Sequence, residues 1–290
     1  MHVKNSQIFL LIVAVALAGC VGQPGGGTNS GTAGVIITSF SPEVPEVEGD
    51  TEVSFFTIIK NVGDAPTETP IIQLFGLDDW TPINPSVTAS LRIPSLRPAD
   101  PARNLEGEES IAEFKLKAPT LKGASLTYTP MARIIYNYET KSTIQFKFAT
   151  TELVRGGQQA STAQVTTTGG PFSIITRGSL PVISPANPKA IVQLEIQNVG
   201  GGTAVSNTPA GMVDSINIHT DIKPVGTEFS CDPATANIRL IGGKSRLFKC
   251  TITLPPSSIP RAGFATAVAE ISLKYYYIVG TQTSIKVKGT

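Results

Sequence analysis

Residues 190–200 read Ala-Ile-Val-Gln-Leu-Glu-Ile-Gln-Asn-Val-Gly, and residues 54–63 read Ser-Phe-Phe-Thr-Ile-Ile-Lys-Asn-Val-Gly. In the first stretch Ala190, Val192, Leu194 and Ile196 fall on one side, with Gln193, Glu195 and Gln197 on the other. That period of two is the mark of a half-buried strand. Both stretches stop at Asn-Val-Gly. Asparagine tolerates left-handed backbone angles and bonds its side chain to nearby amides, and glycine takes positive φ without steric cost. Asn61, Gly63, Asn198 and Gly200 are therefore expected to turn the chain at the end of a strand, with Val62 and Val199 covering the end of the core.

The two copies stand 137 residues apart, and other landmarks keep that distance. Ile36-Ile-Thr38 matches Ile174-Ile-Thr176 at 138, Phe114-Lys-Leu-Lys-Ala-Pro119 matches Cys250-Thr-Ile-Thr-Leu-Pro255 at 136, and Ala132-Arg-Ile-Ile-Tyr136 matches Ala269-Glu-Ile-Ser-Leu273 at 137. A near-constant offset over such a length implies an internal repeat. The repeats are placed at 35–150 and 171–290, with a polar linker at 151–170. Seven strand signals are read in the first repeat, at 35–40, 52–60, 71–77, 86–93, 110–117, 131–138 and 143–149. Short strands at this density between Gly/Pro turns predict an all-β fold, two tandem immunoglobulin-like antiparallel β-sandwiches.

Composition agrees. Of 290 residues, 41% are hydrophobic and only 16% charged, with 27 Gly and 22 Pro, a mixture that favours strands and turns over helices. A net charge of +1 gives no global attraction to nucleic acid, so no nucleic-acid partner is expected. The repeats differ, however: 35–150 holds 15 acidic and 10 basic residues, net −5, and 171–290 holds 6 acidic and 11 basic, net +5. Opposite halves predict weak attraction, within one chain or as homo-association between chains. The expected participants are the acidic run Glu43, Glu46, Glu48, Asp50 and Glu52, otherwise read as a solvated loop, and the basic set Arg239, Lys244, Arg246 and Lys249.

The N-terminus reads as a targeting segment. His2 and Lys4 precede an apolar run, 8–17, too short to span a bilayer and followed by small residues. Leu17-Ala-Gly-Cys20 resembles the lipobox of bacterial and archaeal lipoproteins. That resemblance implies removal of residues 1–19, lipidation of Cys20, and anchorage to the outer face of the cytoplasmic membrane. Residues 20–34 are then a lipidated cysteine with a Gly-rich tether, reaching roughly 20 Å. With Cys20 so used, Cys231 and Cys250 remain of the three cysteines and are expected to form a disulfide, as exported proteins permit. The strands ending in Asn-x-Gly also resemble CARDB-type modules, immunoglobulin-like domains of archaeal and bacterial surface proteins. The chain is thus read as similar to a prokaryotic, archaeal-type surface lipoprotein, which implies display and binding or spacing roles and brings no catalytic residues.

Candidate chemistry is sparse. His219, the one histidine after the targeting segment, and Asp221 share a strand face, the minimum for a base and its orienter. No nucleophile motif, His-rich cluster or Cys-x-x-Cys accompanies them. No enzyme activity, metal or cofactor is expected. Trp80, the only tryptophan, and Tyr275-Tyr-Tyr277 are candidates for a surface that binds glycan or protein. On a strand, Tyr275 and Tyr277 share a face and Tyr276 takes the other. The expected function is a lipid-anchored cell-surface module, structural, adhesive or envelope-building. The alternatives are an accessory solute- or glycan-binding lipoprotein, which calls for an aromatic-rimmed cleft between the repeats, and a subunit of an extracellular filament.

Overall fold

The computed structural model describes residues 34–83, 90–158, 162–206, 215–223, 226–232 and 238–289. The first repeat forms β1 (Val35–Pro42), β2 (Glu46–Glu48), β3 (Glu52–Asn61), β4 (Ile71–Phe75), β5 (Thr81–Pro82), β6 (Ser90–Arg92), β7 (Glu109–Lys117), β8 (Leu126–Tyr128) and β9 (Met131–Ala149). A short helix α1 (Thr151–Arg155) and β10 (Gln164–Thr167) follow. The second repeat forms β11 (Phe172–Arg177), β12 (Lys189–Asn198), β13 (Thr203–Val205), β14 (Ser215–Lys223), β15 (Glu228–Asp232), β16 (Ile238–Arg239), β17 (Ser245–Thr253), β18 (Phe264–Gln282) and β19 (Ile285–Lys288). The fold is all-β and sandwich-like, as composition and alternation require.

Each repeat has its own four-stranded sheet, β1-β3-β7-β5 in the first and β11-β12-β17-β15 in the second. The layer opposite them is shared. One eight-stranded sheet runs β16-β14-β18-β9-β4-β6, with β10 beside β9 and β13 beside β18, so a single apolar core runs through both repeats. The join is the antiparallel ladder of β9 and β18, in register from Phe264↔Ala149 to Gln282↔Met131. Within it Tyr138 pairs with Tyr275, the residue 137 positions on, which is the repeat offset. Equivalent residues that pair across an antiparallel ladder mark a local two-fold axis. The repeats therefore meet as an isologous dimer would.

The sequence places two strands, 131–138 and 143–149, where the structure has one of 19 residues. The expected gap falls at polar Glu139-Thr140-Lys141-Ser142. Yet Thr140 and Ser142 continue the inward alternation of Ile134, Tyr136, Tyr138, Ile144, Phe146 and Phe148, and both are buried. Each is satisfied there: Thr140 Oγ1 shares a hydrogen bond of 2.6 Å with the Tyr275 hydroxyl, and Ser142 Oγ one of 2.6 Å with Thr167 Oγ1. A buried hydroxyl with a partner costs little, so the strand need not break.

The linker is also more ordered than its composition suggests. β10 pairs with β9 of the first repeat rather than extending the second. Beyond it, Asp64 N–H donates to Gly169 O at 3.0 Å, and Tyr138 Oη donates to the same carbonyl at 2.8 Å. At the C-terminal end, β19 leaves its own repeat and fits between β2 (parallel) and β8 (antiparallel) of the first. Ile285 and Val287 are buried there. The acidic run is accordingly not just a loop, because its centre is β2. Glu46 meets Lys286 at 2.8 Å and Lys288 at 3.5 Å rather than the expected arginines and lysines of 239–249.

Candidate functional site: a cleft over the seam

The seam has two faces, fixed by alternation along β9 and β18. Inward lie Tyr136, Tyr138, Tyr275 and Tyr277, all buried, with Phe172 edge-on to Tyr275 at 4.6 Å between ring centroids. Tyr136 pairs with Tyr277 across the ladder, their rings 5.9 Å apart. Aromatic pairs of this kind add roughly 0.5–1.5 kcal/mol each beyond burial. Burial pushes all four hydroxyls up. Tyr138 and Tyr277 reach about 12 despite the hydrogen bonds each accepts, and Tyr136 and Tyr275 lie well above the ordinary range.

These tyrosines explain the Asn-Val-Gly turns, and not in the expected way. Neither Gly63 nor Gly200 has a positive φ, and neither asparagine is left-handed. A Cβ on Gly63 would lie 1.9 Å from Tyr138 Oη, and one on Gly200 would lie 2.7 Å from Tyr277 Oη. Glycine is present because a tyrosine hydroxyl occupies the space of a side chain. That hydroxyl accepts the next free amide, Ala65 N–H at 3.1 Å in one turn and Gly202 N–H at 2.8 Å in the other. Asn61, fully buried, donates to Ala65 O (2.9 Å) and Leu96 O (3.0 Å) and accepts from Gly63 N–H (3.0 Å). Asn198 repeats the pattern with Gly202 O (2.8 Å), Gly243 O (3.0 Å) and Gly200 N–H (3.2 Å), and also accepts from Tyr277 Oη at 2.6 Å. Val199 does not cover the core, being 41% exposed.

Outward on the same strands the seam carries a cleft of about 490 Å³. Its floor is Asn137 and Glu139 of β9 beside Tyr276 and Lys274 of β18, with Asn217 of β14 and Glu68 as walls. Register sets the rows: Asn137 faces Tyr276, and Lys274 lies between Glu139 and Asn217. Glu68, Asn137 and Glu139 are already held. Glu68 N–H donates to Asn137 Oδ1 at 2.9 Å while Asn137 Nδ2 donates to Glu68 Oε2 at 3.3 Å. Ser272 Oγ donates to Glu139 Oε1 at 2.5 Å, with Lys141 Nζ 3.6 Å and Lys274 Nζ 3.9 Å from its carboxylate. Burial pushes the Glu139 carboxyl up, but the Ser272 bond and the two lysines outweigh it and hold it below the usual range.

Of the aromatics singled out in the sequence, only the Tyr275–Tyr276 pair touches the cleft. Trp80 is buried in the first repeat, edge-on to Phe55 (5.6 Å) and Tyr128 (5.7 Å), and Tyr277 is seam core; Tyr275 is buried in the seam as well but, with Tyr138, also borders the cleft. None forms an exposed platform. The residue that reaches the cleft floor is Tyr276, the one its alternation turns outward. The polar set around it is not visible in the sequence, because its members are spread from residue 68 to 276 and only the ladder gathers them. Cys231 and Cys250 face each other on β15 and β17 and are joined, S–S 2.04 Å. His219 and Asp221 stand exposed on β14. Among the described residues no group of three His, Cys, Asp or Glu side chains could hold a metal ion, and no helix is long and apolar enough to cross a membrane. Cys20 lies outside the described residues. No protein-family model matches the chain, and no curated protein matches it significantly.

Proposed function

We propose that the chain is an exported, lipid-anchored surface module that acts by binding or spacing rather than by catalysis. The observation that carries this reading is the order of the N-terminal segments. Leu17-Ala-Gly-Cys20 is followed by a Gly-rich stretch with nothing to bury, and the first strand of the fold follows at Val35. The similarity to CARDB-type surface lipoproteins points the same way and rests on the strand and Asn-x-Gly pattern alone. A disulfide suits an oxidising compartment. The attachment point also fits: Val35, the first residue of β1, is fully buried, with its N–H donating to Tyr136 Oη at 3.0 Å. A tether rooted on an inward tyrosine of the seam loads both repeats together.

Mass spectrometry of the natively produced N-terminus tests the proposal. The expected species starts at Cys20 and carries more than one acyl chain, since a single chain gives only marginal membrane binding. Cys20→Ser should move the protein from the membrane to the soluble fraction. An unmodified Cys20, or a retained residue 1–19 segment, would falsify the anchor.

A further inference from the structure

We infer that the cleft over the seam binds a short, neutral oligosaccharide. About 490 Å³ is within the range of small-ligand sites, roughly 300–1,000 Å³. Its polar groups are of the kind that recognise hydroxyls. A sugar hydroxyl donates one hydrogen bond and accepts others, so it needs acceptors and donors side by side. Lys274 Nζ and Glu139 Oε1 stand 3.9 Å apart, too far for a direct hydrogen bond and suitably spaced for one hydroxyl to bridge, donating to the carboxylate and accepting from the ammonium. Asn137, fixed by Glu68, keeps one amide hydrogen beyond the one it gives to Glu68 Oε2. Directly across the ladder from it, the half-buried Tyr276 supplies a rigid ring face for the apolar C–H side of a sugar.

Charge gives no strong pull to either sign. The lining carries Glu68, Glu139 and Lys274, and Lys141, outside the lining, offsets Glu139 from 3.6 Å, so an anion meets two carboxylates and a cation finds them already opposed by two ammonium groups. The cleft also has direction. By the repeat offset Asn137 corresponds to Lys274 and Glu139 to Tyr276, so the two sides of the axis present unlike chemistry, whereas the inward pair on that axis is tyrosine on both sides. An unsymmetrical chain of sugar rings fits such a floor better than a symmetrical ligand.

The inference does not depend on the lipid anchor, because membrane-bound and released protein carry the same cleft. The test uses the full chain with maltotriose, cellotriose, chitotriose and mannotriose as probes, read by saturation-transfer NMR and then by titration. At least one trisaccharide is expected to bind. Tyr276→Ala and Glu139→Gln should each weaken that binding about tenfold or more, equivalent to about 1.4 kcal/mol. Ile191→Ser, on the far sheet of the second repeat, should leave it unchanged. Near-ultraviolet circular dichroism must show both cleft variants folded, and Tyr276→Phe, which keeps the ring, should retain most of the affinity. The inference is overturned if no trisaccharide gives transfer, if transfer survives undiminished in folded Tyr276→Ala, or if only a glutamate or lysine peptide binds.

Discussion

At the scale of single residues, the instructive positions are the two glycines that close the strands. Gly63 gives way to Tyr138, and Gly200 to Tyr277, as a matter of space rather than backbone freedom. Gly63→Ala must push aside a hydroxyl that also receives the Ala65 amide, so overpacking and a lost hydrogen bond act together. The expected loss is about 3 kcal/mol. Gly200→Ala, with a gap of 2.7 Å against 1.9 Å, should cost clearly less. Tyr138→Phe removes the offending oxygen, so the pair Gly63→Ala/Tyr138→Phe should cost less than the sum of its parts. Denaturant melts of the four proteins measure this; strict additivity would mean that the contact is not the reason for glycine. Asn61→Asp is a second probe. Its carboxylate cannot donate to Ala65 O and Leu96 O, and three carbonyl-type oxygens are left facing one another in a buried site. It should destabilise by at least as much as Asn61→Ala, on the order of 3 kcal/mol. The sequence shows that these turns exist and that they are equivalent. It hides their cause, because the tyrosine that shapes the first turn is 73 residues away from the amide it accepts.

At the scale of elements, the strands that are easy to read are those whose inward side is apolar or broken by a single polar residue. β7 and β12 bury only apolar residues, and β3 carries buried Thr57 between Phe55 and Ile59; all three appear within a residue or two of the alternating stretches in the sequence. β9 reads as two strands because Thr140 and Ser142 are inward yet polar, and nothing local announces that Tyr275 and Thr167 will satisfy them. β19 is legible as a strand only through its partners β2 and β8, which belong to the first repeat. The disulfide is a link of another kind. It joins neighbouring strands β15 and β17 across 19 residues, which the chain-entropy picture rates at about 3 kcal/mol. Were the repeats independent, reduction would lower the melting of the second alone. A shared eight-stranded sheet implies that the loss is felt by both. Calorimetry of the reduced and oxidised chain should show one transition in each case, the reduced one several degrees lower. Two transitions, one of them indifferent to reductant, would contradict the coupling.

At the scale of the whole molecule, the repeats are joined by a ladder and by its tyrosines, while the opposite charges of −5 and +5 act only at the margin through contacts such as Glu46 with Lys286. Such exposed pairs are weak and screened by salt, so high salt should barely move the melting temperature. High pH should. An unfolded tyrosine ionises near 10, whereas burial raises Tyr138 and Tyr277 to about 12 in the fold and Tyr136 and Tyr275 well above the ordinary value. A folded-state pKa above the unfolded one means that the fold keeps a proton the unfolded chain gives up. The contribution is therefore complete below pH 10 and is lost as pH rises from about 10 towards 12. For Tyr138 and Tyr277 a pKa of about 12 in the fold against about 10 in the unfolded chain corresponds to roughly 2–3 kcal/mol each. The loss should be cooperative, because both tyrosines belong to one seam. Tyrosinate absorbance followed from pH 9 to 12.5, with circular dichroism on the same samples, is expected to show the seam tyrosines ionising only together with collapse of the strand signal. Smooth ionisation of all six tyrosines near pH 10 with the strands intact would show that the seam is open to water, and the continuous sheet could not then be what unites the two repeats.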